Sequence, residues 1–163
     1  MIEGYDFTGD RFEELLVRRF FPEKTDHESA LLLVFLVDYL RQFDRVSFSV
    51  RIGAGVTPDP EHDPSVQRAA VFSSKRRIDF VGWQGQQASL VELKTRVGHA
   101  VMGQLLSDRQ LWLEEFPDAP EPRLVAVGRT STDDDVRVLT SHGIDVMLYP
   151  EADALGGTSA GAQ

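Results

Sequence analysis

Asp79, Glu92 and Lys94 are the residues of this sequence whose types and spacing could do chemistry. They lie in residues 75–96, where two runs rich in Val, Ile, Phe, Trp and Leu flank Gln84-Gly85-Gln86-Gln87. Gly at the first central position suits a two-residue type II′ turn, so the segment is predicted to be a β-hairpin. With Gly85 and Gln86 as the loop, Gln84 faces Gln87 and paired residue numbers sum to 171. Asp79 then lies opposite Glu92, and Arg77 opposite Lys94. Lys94, two residues beyond Glu92, projects from the same face.

Cross-strand Cβ atoms are roughly 4.5–5.5 Å apart, and like charges placed there repel. Two carboxylates so placed need a cation, a shared proton or solvent. A hard divalent ion such as Mg²⁺ prefers oxygen ligands and takes only one or two protein carboxylates, keeping several waters. Lys94 beside such an ion could hold its water or stabilise developing negative charge. The competing reading is an exposed strand face on which Arg77 and Lys94 neutralise Asp79 and Glu92. A bulge would break the register on which both depend.

The elements that must position these groups follow from hydrophobic spacing. Residues 8–21 are predicted to be an amphipathic helix, with Phe12, Leu15, Leu16, Arg19 and Phe20 on one face and Glu13 beside that stripe. Asp10 could cap this helix with Glu13 folded back onto it, and Pro22 ends it. A second helix is expected over 26–42, with Asp26 as N-cap. Its stretch Ala30-Leu-Leu-Leu-Val-Phe-Leu-Val37 is apolar all round, which suggests core on one side and a homodimer contact on the other. His27-Glu28 has no second His four residues on, which rejects a zinc-protease helix.

Val46, Phe48, Val50 and Ile52 alternate with Ser47, Ser49 and Arg51 as a half-buried strand. Gly53-Ala54-Gly55 lacks the third Gly and the succeeding helix of a dinucleotide fingerprint. Residues 57–64 are expected to be a surface loop, with His62 solvated. After the hairpin come a helix over 97–116 with Val101, Leu105, Trp112 and Phe116 inward and Gln104 beside Leu105, a buried strand over 123–128, a helix from Thr132 or Asp133 to Ser141, and a last strand over 144–149. The expectation is an α/β fold in which a central mixed sheet of about five strands is flanked by helices in three layers. It forms one domain over 1–150, followed by a disordered tail over 151–163.

Net charge is −9, with a pI near 4.8, which argues against coating nucleic acid through global charge. Residues 68–96 are the exception: Arg68, Lys75, Arg76, Arg77, Lys94 and Arg96 stand against Asp79 and Glu92, net +4. Such a strip on an acidic body can grip phosphates, with affinity falling as salt rises. Lys is scarce, at positions 24, 75 and 94 only, beside 14 Arg. No Cys is present, which excludes disulfides and thiolate metal sites. No leader pattern and no apolar run near the roughly 20 residues of a membrane span are seen, so the expectation is a cytoplasmic protein without a membrane partner.

Asp79, a strand connection, Glu92-Leu93-Lys94 and a following helix with Gln104 resemble the PD-(D/E)XK nuclease superfamily, whose fold is restriction-endonuclease-like. Gly9-Asp-Arg-Phe-Glu13 is similar to the first-helix Gly-x-x-x-Glu of Holliday-junction resolvases. Leu124-Val-Ala-Val-Gly128, a helix and His142-Gly-Ile-Asp-Val146 are similar to the end of mismatch-endonuclease and RecB-like domains. The resemblance implies that Asp79 and Glu92 bind Mg²⁺ or Mn²⁺ with the carbonyl of Leu93, that Lys94 orients the attacking water, that Glu13 reaches the metal or its waters, and that Gln104 positions phosphate or Lys94. Lys75, Arg76, Arg77, Arg96 and Arg68 would contact the nucleic acid, DNA ahead of RNA because only Trp83 near the hairpin suits stacking on single strands. The residue before Asp79 is Ile78, where Pro is common in the superfamily. Asp108 stands where the RecB-like pattern has Tyr. The implied reaction is phosphodiester hydrolysis, and the alternative is a dimerising interaction module that keeps the fold without catalysis.

Overall fold

The computed structural model describes residues 3–18 and 21–152. In chain order the elements are β1 (Glu3–Thr8), α1 (Phe12–Leu16), α2 (Asp26–Tyr39), β2 (Arg45–Ile52), α3 (Pro64–Ser74), β3 (Arg76–Gln84), β4 (Gln87–Arg96), α4 (His99–Glu115), β5 (Arg123–Thr130), α5 (Asp133–Ser141) and β6 (Ile144–Leu148). The strands form one mixed sheet in the order β1-β2-β3-β4-β5-β6. The first four run antiparallel to their neighbours, whereas β4, β5 and β6 are parallel, joined by crossovers through α4 and α5. α2 packs on one face against β4 and β5, and α4 covers β2, β4 and β5 on the other. The expected three-layer α/β class holds, with six strands in place of about five.

The extra strand is β1, in the region where the predicted first helix begins. Among its described side chains Phe7 alone is buried, so it adds little apolar pattern. A 3₁₀ turn at Gly9–Arg11 follows, and α1 is only five residues long. Arg11 stands at the N-cap of α1 with no side-chain capping bond of its own. Arg19, Phe20, the Asp10 side chain and the tail from residue 153 lie outside what is described. α3 is the second addition. Asp63 caps it, its side chain accepting from Ser65 N–H at 2.7 Å, and Pro64 opens it, yet it buries no residue.

α2 begins one residue earlier than the Asp26 cap would require. Thr25 is the N-cap and forms a reciprocal capping box with Glu28. Leu31, Leu32, Phe35 and Leu36 enter the core while Val37 is 64% exposed, so burial is one-sided. No helix among the described residues is long and apolar enough to cross a membrane.

β2 departs from simple alternation. Val46 and Phe48 join the core under α2, whereas Val50 and Ile52 join the core under α4. The switch occurs at Ser49, whose φ of 54° lies in the left-handed region that favours glycine. β2 carries one extra residue against β1 there: Glu3 pairs with Arg51 but Tyr5 with Phe48. β3 switches with it, Phe80 facing α2 and Ile78 facing α4 on either side of Asp79.

Candidate active site

The hairpin turn is as predicted: Gly85 has φ 59° and Gln86 is not left-handed, the pattern of a type II′ turn. The register sum of 171 holds from Gln84↔Gln87 to Phe80↔Val91, and there the recorded pairing stops. Beyond it β3 keeps β2 as partner, through Val50↔Ile78 to Ile52↔Arg76, while β4 runs on beside β5 from Glu92↔Ala126 to Arg96↔Thr130. The sheet therefore forks, with Asp79 and Glu92 at the throat. In a two-residue hairpin 84/87, 82/89 and 80/91 are hydrogen-bonded pairs, so 78/93 would come next. Instead the Leu93 N–H donates to Asp79 Oδ2 at 3.0 Å, and a side chain closes the ladder.

The fork corrects two expectations. Arg77 does not face Lys94; it pairs with Arg51 on β2 and donates to Glu23 Oε2 at 3.2 Å, with Asp79 Oδ1 4.0 Å away. Nor are the carboxylates on an exposed strand face, because Asp79 and Glu92 are both buried.

Each buried acid has its own ammonium. Lys94 Nζ lies 3.0 Å from Glu92 Oε1, and Gln104 Nε2, presented by α4, donates to the same oxygen at 2.8 Å. Burial first, and then the charge of Asp79, push the Glu92 carboxyl up to about 7 against the opposing pull of Lys94. Burial works against the charge of Lys94, but Glu92, Asp79 and Glu28 outweigh it and raise its pKa. Lys24 Nζ lies 2.9 Å from Asp79 Oδ1, and its side chain is fully enclosed. It also donates to Ser49 Oγ at 3.3 Å, and Ser49 donates onward to the Pro22 carbonyl at 3.1 Å.

One turn beyond Gln104, Asp108 is buried and accepts from Arg76 Nε and Nη2 at 3.2 and 3.1 Å. Burial pushes its carboxyl up to about 6 despite Arg76. The +4 strip is thus partly spent inside the protein, Arg76 on Asp108 and Arg77 on Glu23. Arg68 and Arg96 are exposed, and Arg68 and Lys75 line one open groove with Phe72 and Pro58.

The structure brings Asp79, Glu92, Lys94 and Gln104 into one cluster, and the part of Leu93 that touches it is the amide, which donates to Asp79, where the sequence resemblance implied the carbonyl. Glu13 is exposed on α1 and takes no part in the recorded contacts of the cluster. What the sequence reading left out is Lys24 and Glu28, both from the turn that starts α2. The available signal was compositional: a chain with 14 Arg and three Lys puts two of those Lys at this cluster.

The donors suit an oxygen-seeking divalent ion that keeps most of its waters. Among the described residues Glu92 Oε2 makes no hydrogen bond within the protein, and a carboxyl held up to about 7 beside a second buried acid is one that a hard cation would ionise. Among the described residues no group of three or more His, Asp or Glu is placed to hold a metal ion.

No protein-family model matches the chain, and no curated protein sequence matches it. Among solved structures it is similar to a repair endonuclease from Pyrococcus abyssi, with 17% identity and a TM-score of 0.44, over 80% of this chain and 49% of that one. The chain thus spans about half the length of that protein.

Proposed function

We propose that this chain is a divalent-metal-dependent endonuclease of the PD-(D/E)XK type that hydrolyses DNA phosphodiester bonds. The observation that carries the reading is the fork. Two buried carboxylates meet where β3 and β4 part, and the strand that supplies Glu92 supplies an ammonium two residues on. Asp79 and Glu92 would hold Mg²⁺ or Mn²⁺, with the Leu93 carbonyl as the backbone ligand the superfamily resemblance implies. The bound ion would supply Lewis-acid stabilisation of phosphoryl charge and a more acidic water.

The chain's own residues do the rest. Gln104 fixes the Glu92 carboxylate, leaving its second oxygen for the ion. Lys94, 39% exposed, reaches solvent on the substrate side and can orient the nucleophile while remaining charged. The Leu93 amide and Lys24 fix both oxygens of Asp79. Arg68, Arg96 and Lys75 would contribute phosphate contacts, and Glu13 is retained as a residue to test. The direct experiment is cleavage of linear, supercoiled and branched DNA, with RNA for comparison, in Mg²⁺ or Mn²⁺ by the wild type, Asp79→Ala, Glu92→Ala and Lys94→Ala. Losses of about 10²-fold or more are expected in each. Activity that survives all three substitutions removes the mechanism.

A second reading has one observation in its favour. Because Lys24 and Lys94 already accompany the acids, the cluster is an ion network that serves a fold as well as a reaction. Under that reading the chain is a non-catalytic module that dimerises through the outer side of α2, where Val37 is exposed. Absence of divalent binding by calorimetry, together with a stable dimer by sedimentation, would select it.

A further inference from the structure

Lys24 is the cation that the metal reading does not require. It sits in the short turn between Pro22 and the N-cap Thr25, with its whole side chain enclosed and its ammonium 2.9 Å from Asp79 Oδ1. Enclosing a lysine sacrifices both hydration and rotamer freedom. The turn is also held in an unfavourable shape. Glu23, immediately before Lys24, has φ 56°, and Ser49, which accepts from the ammonium, has φ 54°. These are the only left-handed non-glycine residues among those described, and such conformations persist where the surroundings over-determine them.

We propose that Lys24 is a resident counter-ion of Asp79 with which a divalent cation must compete, so that metal loading and release of this ammonium from Asp79 are coupled. The inference rests on the reading of Asp79 and Glu92 as metal ligands. An ion on Asp79 would lie roughly 2.0–2.1 Å from a carboxylate oxygen. The ammonium already lies 2.9 Å from that carboxylate, in a place that neither water nor salt screens well. Two cations so close repel, so the monovalent one must give way where the divalent one binds. Without an ion, Lys24 and Lys94 leave the acid pair internally balanced, and the chain folds metal-free. The same balance makes divalent affinity lower than the two carboxylates would otherwise give.

The test is Mn²⁺ binding, by titration calorimetry and by the electron paramagnetic resonance signal of free Mn²⁺, for wild type, Lys24→Met, Lys24→Gln and Asp79→Asn. The glutamine variant keeps a polar end near Asp79 and Ser49 without the charge. Both Lys24 variants should bind Mn²⁺ about tenfold or more tightly than wild type, and Mn²⁺ should raise their Tm by more. Should they fail to fold without an ion, recovery of the far-UV circular dichroism signal in millimolar Mn²⁺ supports the proposal and its absence overturns it. Unchanged or weaker Mn²⁺ binding in folded variants, with binding abolished in Asp79→Asn, overturns the role of Lys24 and leaves the metal site standing. No Mn²⁺ binding by any of the four proteins overturns both.

Discussion

Replacing Glu92 by Gln should stabilise the metal-free protein at alkaline pH and leave it little changed in acid. Its carboxyl ionises at about 7 in the folded protein and at 4.5 ordinarily, because it is buried and faces Asp79. Below pH 4.5 both states hold the proton and the residue is neutral in the balance. Between 4.5 and 7 the unfolded chain releases its proton while the folded chain retains it, so the folded state binds more protons and stability falls as pH rises. At roughly 1.4 kcal/mol per pH unit, the interval from 4.5 to about 7 corresponds to about 3 kcal/mol, fully expressed above pH 7.

Glutamine cannot ionise, and its side-chain oxygen can still accept from Gln104 Nε2, which now donates to Glu92. Lys94 loses its partner but is 39% exposed and stays hydrated. The difference between the two proteins is the quantity to follow, since every other ionisable group is common to both. Urea unfolding in EDTA at pH 5, 6, 7 and 8 should show Glu92→Gln gaining on wild type with pH, to a surplus of about 2–3 kcal/mol at pH 8. Millimolar Mg²⁺ should narrow or reverse that surplus, since binding to the folded wild type alone adds stability. A variant no more stable than wild type at pH 8, or a surplus that shrinks with pH, would refute the burial argument.

Removing the Lys24 ammonium leaves Asp79 enclosed without its cation, and Lys24→Met should cost about 3–5 kcal/mol by chemical denaturation. Adding Asp79→Asn should recover most of that loss, and a double-mutant cycle with coupling below about 1 kcal/mol would dismiss the pair as a stability determinant. At Gly128, a Cβ would lie 2.5 Å from Val97 Cγ2 and 2.6 Å from the Lys94 carbonyl. Gly128→Ala should therefore cost about 1–3 kcal/mol and disturb the strand bearing Lys94, to be read from Tm and from the Mn²⁺ response together. For DNA binding, Arg68→Ala and Arg96→Ala should each lower the slope of log K against log salt by about one. Arg76→Ala should leave that slope nearly unchanged and lower Tm, because its guanidinium serves Asp108. An Arg76 effect on the slope as large as that of Arg68 would put Arg76 at the nucleic acid.

The hairpin was legible because everything that sets it is local. Gly85 specifies the turn, alternation specifies the faces, and the sum of 171 follows from both and holds for every recorded β3–β4 pair. Alternation was not a sufficient guide at Ser49 and Asp79, where both strands exchange one core for the other. A left-handed serine leaves no mark in the sequence, and the partners of Ser49, Lys24 and the Pro22 carbonyl, are more than 20 residues away along the chain. α3 carried a readable local signal, the Asp63-Pro64 cap and first position, but with no buried residue it had no apolar period. The first strand was lost for a related reason, as Phe7 alone faces the core and Phe12 and Leu15 just beyond it spell a helix.

What no local reading could supply is the reason the acids end up buried together. Past Val91, β4 leaves β3 and keeps β5, arriving parallel from beyond α4, on its other edge as far as Arg96↔Thr130. That same parting frees the Leu93 amide for Asp79 and opens the throat that the turn before α2 fills with Lys24. The geometry of this site therefore depends on a long-range crossover and a strained turn as much as on the Asp79, Glu92 and Lys94 spacing. Under the proposed metal reading, a substitution in either supporting segment should alter Mn²⁺ affinity by titration calorimetry without touching a proposed ligand.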